Sequence, residues 1–332
     1  MYSDDDLSAA VDAGVIAPQQ AEQLRQFWQQ RHQDTAVDAE HFRLVTGFND
    51  IFVVIASMLL LVGVQDLTNG VFPGMGGVAL AAASWLLSLY FVLNKRMALP
   101  AIVLLVAFVY GIYVSVEQLS TFLSSANRSV PAGIAAALAA WLHWRTFKVP
   151  ITIAAAAVSL VVGVATSLIA AFPEALWSLN VICLLAGLGL FALALYWDFS
   201  DPARISGRAD VAFWLHLVAS PLIVHPIFFA TGALDSGIGV SQSLIIFGLY
   251  LLLALVSLVI DRRAMMVSAL VYVISAFAAL LSQNGFVDQG ITVTGLVVGL
   301  GLIALSVGWH RIRKLVVSQL PTSMQQRLPR LI

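Results

Sequence analysis

Two histidines and two prolines share one apolar stretch running from Phe213 to Pro226: His216, Pro221, His225 and Pro226. An imidazole changes charge near neutral pH, so a pair of them in a hydrophobic segment suits proton transfer or ligand binding. Pro221 leaves the carbonyl of Leu217 without its helical donor, and Pro226 does the same for Leu222. In hydrocarbon such carbonyls need partners in protein or water, which predicts a broken helix turned to the inside of a bundle. Two readings of His216 and His225 follow. They line a cavity and handle protons or a ligand, or they are neutral rings bonded to the carbonyls that the prolines release. A joint metal site is disfavoured, because nine positions at about 100° per residue set the rings on opposite faces of a straight helix. No metal and no cofactor is expected.

Asp50 is the third candidate. The stretch from Ile51 to Val64 is too short to cross a bilayer, so the first span must take in either Asn49 and Asp50 or Gln65 and Asp66. Inside the membrane Asp50 needs a partner such as Arg43 or His216. At the interface it begins a helix with its carboxylate in water.

The elements that must position these residues are set by composition. Of 332 residues, 60% are hydrophobic and 11% charged, and the mean hydropathy is +0.91. A soluble domain carries about a quarter charged residues, so this chain has too little polar surface to cover its apolar side chains in water. The lipid bilayer is the expected partner, and nucleic acid is not. The fold class is all-α, a polytopic transmembrane bundle. Apolar stretches fall at about 45–67, 74–93, 98–119, 130–146, 150–172, 175–197, 211–231, 240–260, 264–284 and 290–312, each near the roughly 20 residues a crossing needs. Residues 1–43 read as a small polar helical head, with Gly14 stopping a first helix and Pro18 opening a second. The bundle occupies 44–313, and 314–332 form a basic tail. No cleavable signal is expected at the start, and the single cysteine, Cys183, reads as a small packed hydrophobe.

Charge placement gives an independent test. Of the 17 basic residues, 16 fall in the head, the tail and alternate turns: Lys95 and Arg96, Arg145 and Lys148, Arg204 and Arg208, Arg262 and Arg263. Arg128 alone stands on the other side, with Asp66, Glu117, Glu174, Asp235 and Asp288. Cations concentrate on cytoplasmic loops, so about ten spans with both ends in the cytoplasm are predicted.

Val62-Gly63-Val64 with Phe72-Pro73 recurs one hundred residues later as Val162-Gly163-Val164 with Phe172-Pro173, a suggestion of an internal repeat, parallel or inverted. His143, between Trp141 and Arg145, reads as part of an interfacial anchor. Gly295 and Gly299 read as a close helix-packing face. The loop from Asp198 to Asp210 superficially resembles the aspartate-rich signature of CDP-alcohol phosphotransferases. Its spacing is too short and Pro202 replaces the expected glycine, so it reads as a capped turn of mixed charge. No Walker A loop, zinc-protease pair or nucleophile elbow occurs, and no catalytic residue is assigned.

The phrase from Gly14 through Pro18 and Glu22 to Leu24, with Arg43 ahead of the first span, resembles the heads of an uncharacterised bacterial family of multi-spanning membrane proteins, a domain of unknown function. The resemblance covers about the first sixty-five residues. It implies a bacterial inner membrane and supplies no activity. The expectation is a transporter-like protein for a small solute or protons, with a cavity beside the seventh span. The alternative is a scaffold or regulator whose head, residues 1–43, binds a partner protein. A membrane-embedded enzyme is the least favoured reading.

Overall fold

The computed structural model describes residues 7, 10–24, 48–173, 176–202, 204, 207–233, 239–283, 290–326 and 328–329. The chain divides into two compact units, Met1–Phe42 with Ile332, and Arg43–Leu331. In the first, residues 10–12 and 18–24 are helical. Gly14 supplies the left-handed turn at φ +68, and the Gln20 side chain accepts from the Ala17 N–H at 2.9 Å ahead of Pro18.

Among its described residues the second unit consists of helices joined by short turns, with no strand. Its long helices are α1 (Phe48–Val71), α2 (Gly76–Ser88), α3 (Ala98–Leu119), α4 (Ser125–Phe147), α5 (Ile151–Ala171), α6 (Leu176–Phe199), α7 (Arg208–Ala230), α8 (Val240–Ile260), α9 (Ala264–Gln283) and α10 (Gly290–Val317), followed by the short α11 (Thr322–Gln325). A π-helical turn, Leu89–Asn94, continues α2 to the next loop. Eight of these segments are long and apolar enough to cross a membrane; α4 and α9 are the other two. The reason is compositional. Helix α4 carries Arg128 and Arg145 around an alanine-rich middle, and the apolar part of α9 covers only Ala264–Ala279.

Helix α7 is the most enclosed. Of its membrane-length window 61% is inside the bundle, against 44% or less for each of the other seven. Leu215, Ala219, Ile223, Val224 and Phe228 form its part of the main core, where Leu190, Ala194, Ile246, Met265, Ala269 and Tyr272 meet them. It stays helical from Arg208 to Ala230 across both prolines. The expected break at Pro221 and Pro226 is therefore corrected: packing on α6, α9 and α5 holds the helix together, and a missing N–H alone does not end it.

Backbones approach most closely where glycines face each other. A Cβ added to Gly133 of α4 would sit 2.6 Å from the Ser159 carbonyl and 3.0 Å from Gly163 Cα of α5. A Cβ on Gly111 of α3 would lie 2.8 Å from the Gly77 carbonyl of α2. Gly295 and Gly299 have nothing within 4 Å of an added Cβ, which corrects their expected packing role. The repeated phrases end α1 and α5 alike, yet Gly63 meets open space where Gly163 meets α4.

His143 is 0% exposed rather than interfacial. Its ring lies among Phe147, Phe108 and Trp85, with centroids 4.4, 5.8 and 6.0 Å away, and neither nitrogen has a hydrogen-bond partner. The interfacial anchors beside it are cation–π pairs, Arg145 on Trp141 at 5.0 Å and Lys148 on Trp144 at 4.5 Å. Burying an unpartnered polar group costs about 1–3 kcal/mol. His143→Phe is therefore expected to raise the thermal midpoint of the detergent-purified protein, and a lowered midpoint would contradict this environment.

Candidate functional site

The three sequence-selected polar residues lie in different places. Asp50 occupies the first turn of α1 and is buried, 3% exposed, so it is not a carboxylate in water. His216, in α7, is 1% exposed. His225, more than two turns further along α7, is exposed, and its Nδ1 stands 2.6 Å from the Tyr272 hydroxyl of α9. The two imidazoles do not meet. Neither takes the expected carbonyl partner; His225 bonds a phenol and His216 a carboxylate.

That carboxylate is Asp198, at the last turn of α6 and 3% exposed. Its Oδ2 lies 2.9 Å from His216 Nε2. Its Oδ1 accepts from Arg262 Nη2 at 2.6 Å, and its Oδ2 from Arg262 Nε at 3.3 Å. Arg262, just past the end of α8, is 1% exposed and also donates to the Ala209 carbonyl at 3.0 Å. A carboxylate held by a guanidinium in this side-on, two-point fashion stays ionised. The imidazole then donates its Nε2 proton to Asp198, and in the neutral ring this leaves Nδ1 as the lone-pair nitrogen. Nδ1 is buried and has no hydrogen-bond partner, and the same holds for Arg262 Nη1. Phe191 closes over the ring edge-on at 5.2 Å.

A second cluster adjoins the first through the backbone of the α8–α9 turn. Asp261 caps α8 in the left-handed conformation, φ +58, a strained geometry for a residue with a Cβ. Partners on both sides hold it. Arg204, from the α6–α7 loop, donates to Asp261 Oδ2 at 2.9 Å and to the carbonyls of Ile260 and Asp261 at 3.3 and 3.2 Å. Trp309 of α10 donates its indole N–H to Oδ1 at 2.8 Å, and Arg313 Nε stands 3.6 Å from the same oxygen. The hydroxyl of Ser257 donates to the Arg262 carbonyl. Burial lowers the Arg204 pKa from the ordinary arginine value and the Arg262 charge lowers it further, while Asp261 and Asp198 oppose the change. Arg313 also reaches the tail, donating to the Pro329 carbonyl at 2.7 Å.

The sequence reads Asp198 as part of a capped turn of mixed charge and Arg262 as one cation of a basic turn. The loop does cap a helix, through Arg204, but its first aspartate turns inward. The available signal was positional: Asp198 ends one apolar run and Arg262 follows another at the same end of the bundle, level with the first turns of α7. Among the described residues no group of three or more His, Cys, Asp or Glu is placed to hold a metal. What the geometry can do is take a proton at His216 Nδ1, which would convert a neutral ring into a third charge in a buried Asp–Arg pair. Comparison with protein-family models, with curated proteins and with solved structures returns no match to this chain, so the reading of the site rests on its own geometry.

Proposed function

We propose that the chain is a proton-responsive, transporter-like membrane protein with ten spans and both ends in the cytoplasm. The observation that carries the reading is the buried Asp198–His216–Arg262 triad, which ties α6 and the α8–α9 turn to α7, the most enclosed helix. Ionisable groups at membrane depth are costly and pair with one another where they serve a pathway or relay. Adding a proton to His216 alters the balance of charge between α6, α7 and the α8–α9 turn, and those are the elements whose separation would open the basic end. His225 is left out of the mechanism, since it faces outward from α7. The alternation of α7 to α10 is supported by contacts: the α6–α7 loop, the α8–α9 turn and the end of α10 meet at Asp261. The bacterial inner membrane, as the setting, follows from the resemblance of the head.

The test is proton uptake by proteoliposomes under an imposed potential, read with an internal pH dye. His216→Gln keeps an amide donor toward Asp198 but takes no proton; it is expected to reduce uptake about tenfold or more, a range general acid–base groups commonly span. His225→Ala is expected to leave uptake unchanged. Equal uptake by wild type and His216→Gln would remove the triad from function.

A second reading is favoured by the separate compactness of residues 1–42: the head binds a partner protein and the bundle anchors it. Deleting residues 1–43 would then abolish partner pull-down while the bundle still assembles, and retained pull-down would dismiss this reading.

A further inference from the structure

The end of the bundle opposite the ion clusters holds an open cleft of about 530 Å³, lined by Asn69, Gly74, Glu117, Gln118, Thr121 and Arg128. It lies between the ends of α1 and α3 and the start of α4, and its lining is chiefly polar. Two side chains in it carry opposite charges without joining each other. Glu117 accepts from the Ser129 hydroxyl at 3.0 Å, and among the described residues no ion pair links Glu117 to Arg128. Arg128 Nε is buried with no hydrogen-bond partner. The walls are built rather than loose: Asn69 Oδ1 accepts from the Gly74 N–H at 2.9 Å, Gly74 takes φ +87, and α2 is locked to α3 at Gly77 and Gly111.

Arg128 needs a reason to be there. It is the single basic residue, of 17, outside the head, the tail and the basic turns, and a cation on that side opposes the charge bias that orients the chain. Glu117 does not neutralise it by contact. A volume of this size is that of a small-molecule site, and a fixed carboxylate and guanidinium across it select a molecule bearing both charges. We infer that this cleft binds a zwitterion, its ammonium toward Glu117 and its carboxylate or phosphate toward Arg128. The same chemistry is presented by a free amino-acid-like solute and by the head of an aminophospholipid, which sits level with this end of the spans.

The experiment is a thermal-shift titration of the full chain in detergent with phosphoethanolamine and with its two half-charges, ethylamine and methyl phosphate. The zwitterion is expected to stabilise the protein at about tenfold lower concentration than either half, since it makes both charge-assisted contacts. In Arg128→Gln the advantage over ethylamine disappears, and in Glu117→Gln the advantage over methyl phosphate disappears. Glycine in the same titration, and native mass spectrometry of protein extracted with phosphatidylethanolamine or with phosphatidylglycerol, separate the two sources. Stabilisation by glycine supports a free solute; phosphatidylethanolamine retained by wild type and lost from both variants supports a headgroup. Wild-type protein that responds no better to the zwitterion than to its halves, and retains neither lipid selectively, overturns the inference whatever the variants do.

Discussion

Asp198→Ala is expected to destabilise the bundle by about 3–5 kcal/mol, the range for removing one partner from a buried ion pair. Asp198 is 3% exposed, and its loss leaves His216 Nε2 without its acceptor and the Arg262 guanidinium with only the neutral Ala209 carbonyl. The penalty is chiefly that of a stranded charge, not the net worth of the pair. It follows that truncating both partners should cost less than truncating one: Asp198→Leu combined with Arg262→Met should recover a large part of the stability lost in Asp198→Ala. Unfolding of the purified protein in mixed micelles compares wild type with both variants. A single-variant loss below about 1 kcal/mol, as an exposed pair would show, would mean that the triad is solvated and that its enclosure has been misread.

Gly133→Val is expected to be the most damaging of the apolar substitutions. The added atoms would enter the space of the Ser159 carbonyl and Gly163 Cα, both backbone, at 2.6 and 3.0 Å. Backbone cannot rotate away as a flexible side chain can, so α4 and α5 must separate along their most extensive contact in the bundle. Overpacking costs about 1–3 kcal/mol and occasionally more, and here it acts on the helix with the weakest claim to a span of its own. Loss of a monodisperse peak in size-exclusion chromatography is the expected result. Gly295→Val and Gly299→Val, where an added Cβ meets nothing within 4 Å, are expected to behave as wild type. If the three variants are indistinguishable, the close approach of α4 to α5 is wrong.

These expectations separate what local pattern can express from what it cannot. Helix limits were legible because lipid-length apolar runs and turn residues act locally: Gly14 stands at a helix stop and Pro18 at a helix start in both the sequence and the structure. His216 was legible as an interior residue, since prolines and histidines in one span demand partners that lipid lacks. Its partner was not. Asp198 and Arg262 are 64 positions apart, and each alone looks like an ordinary charge at a helix end. Only the packing of α6 and the α8–α9 turn around α7 makes them one unit. The small-residue pattern misled in the opposite direction, because Gly295-xxx-Gly299 has the spacing of a packing motif whether or not a helix lies against it. The glycines that do touch, Gly133 with Gly163 and Gly77 with Gly111, come from different helices and show no spacing signal at all.

Both proposed sites require the chain to thread a bilayer with its basic turns on one side. The direct measurement is labelling of single cysteines, introduced after Cys183→Ala, by a membrane-impermeant maleimide in intact cells and in inverted vesicles. Lys95→Cys, Lys148→Cys and Ser200→Cys should react only in inverted vesicles, and Phe122→Cys and Val240→Cys only in intact cells. Any two of the first three reacting from opposite faces, or Phe122→Cys sharing a face with Lys95→Cys, would contradict it.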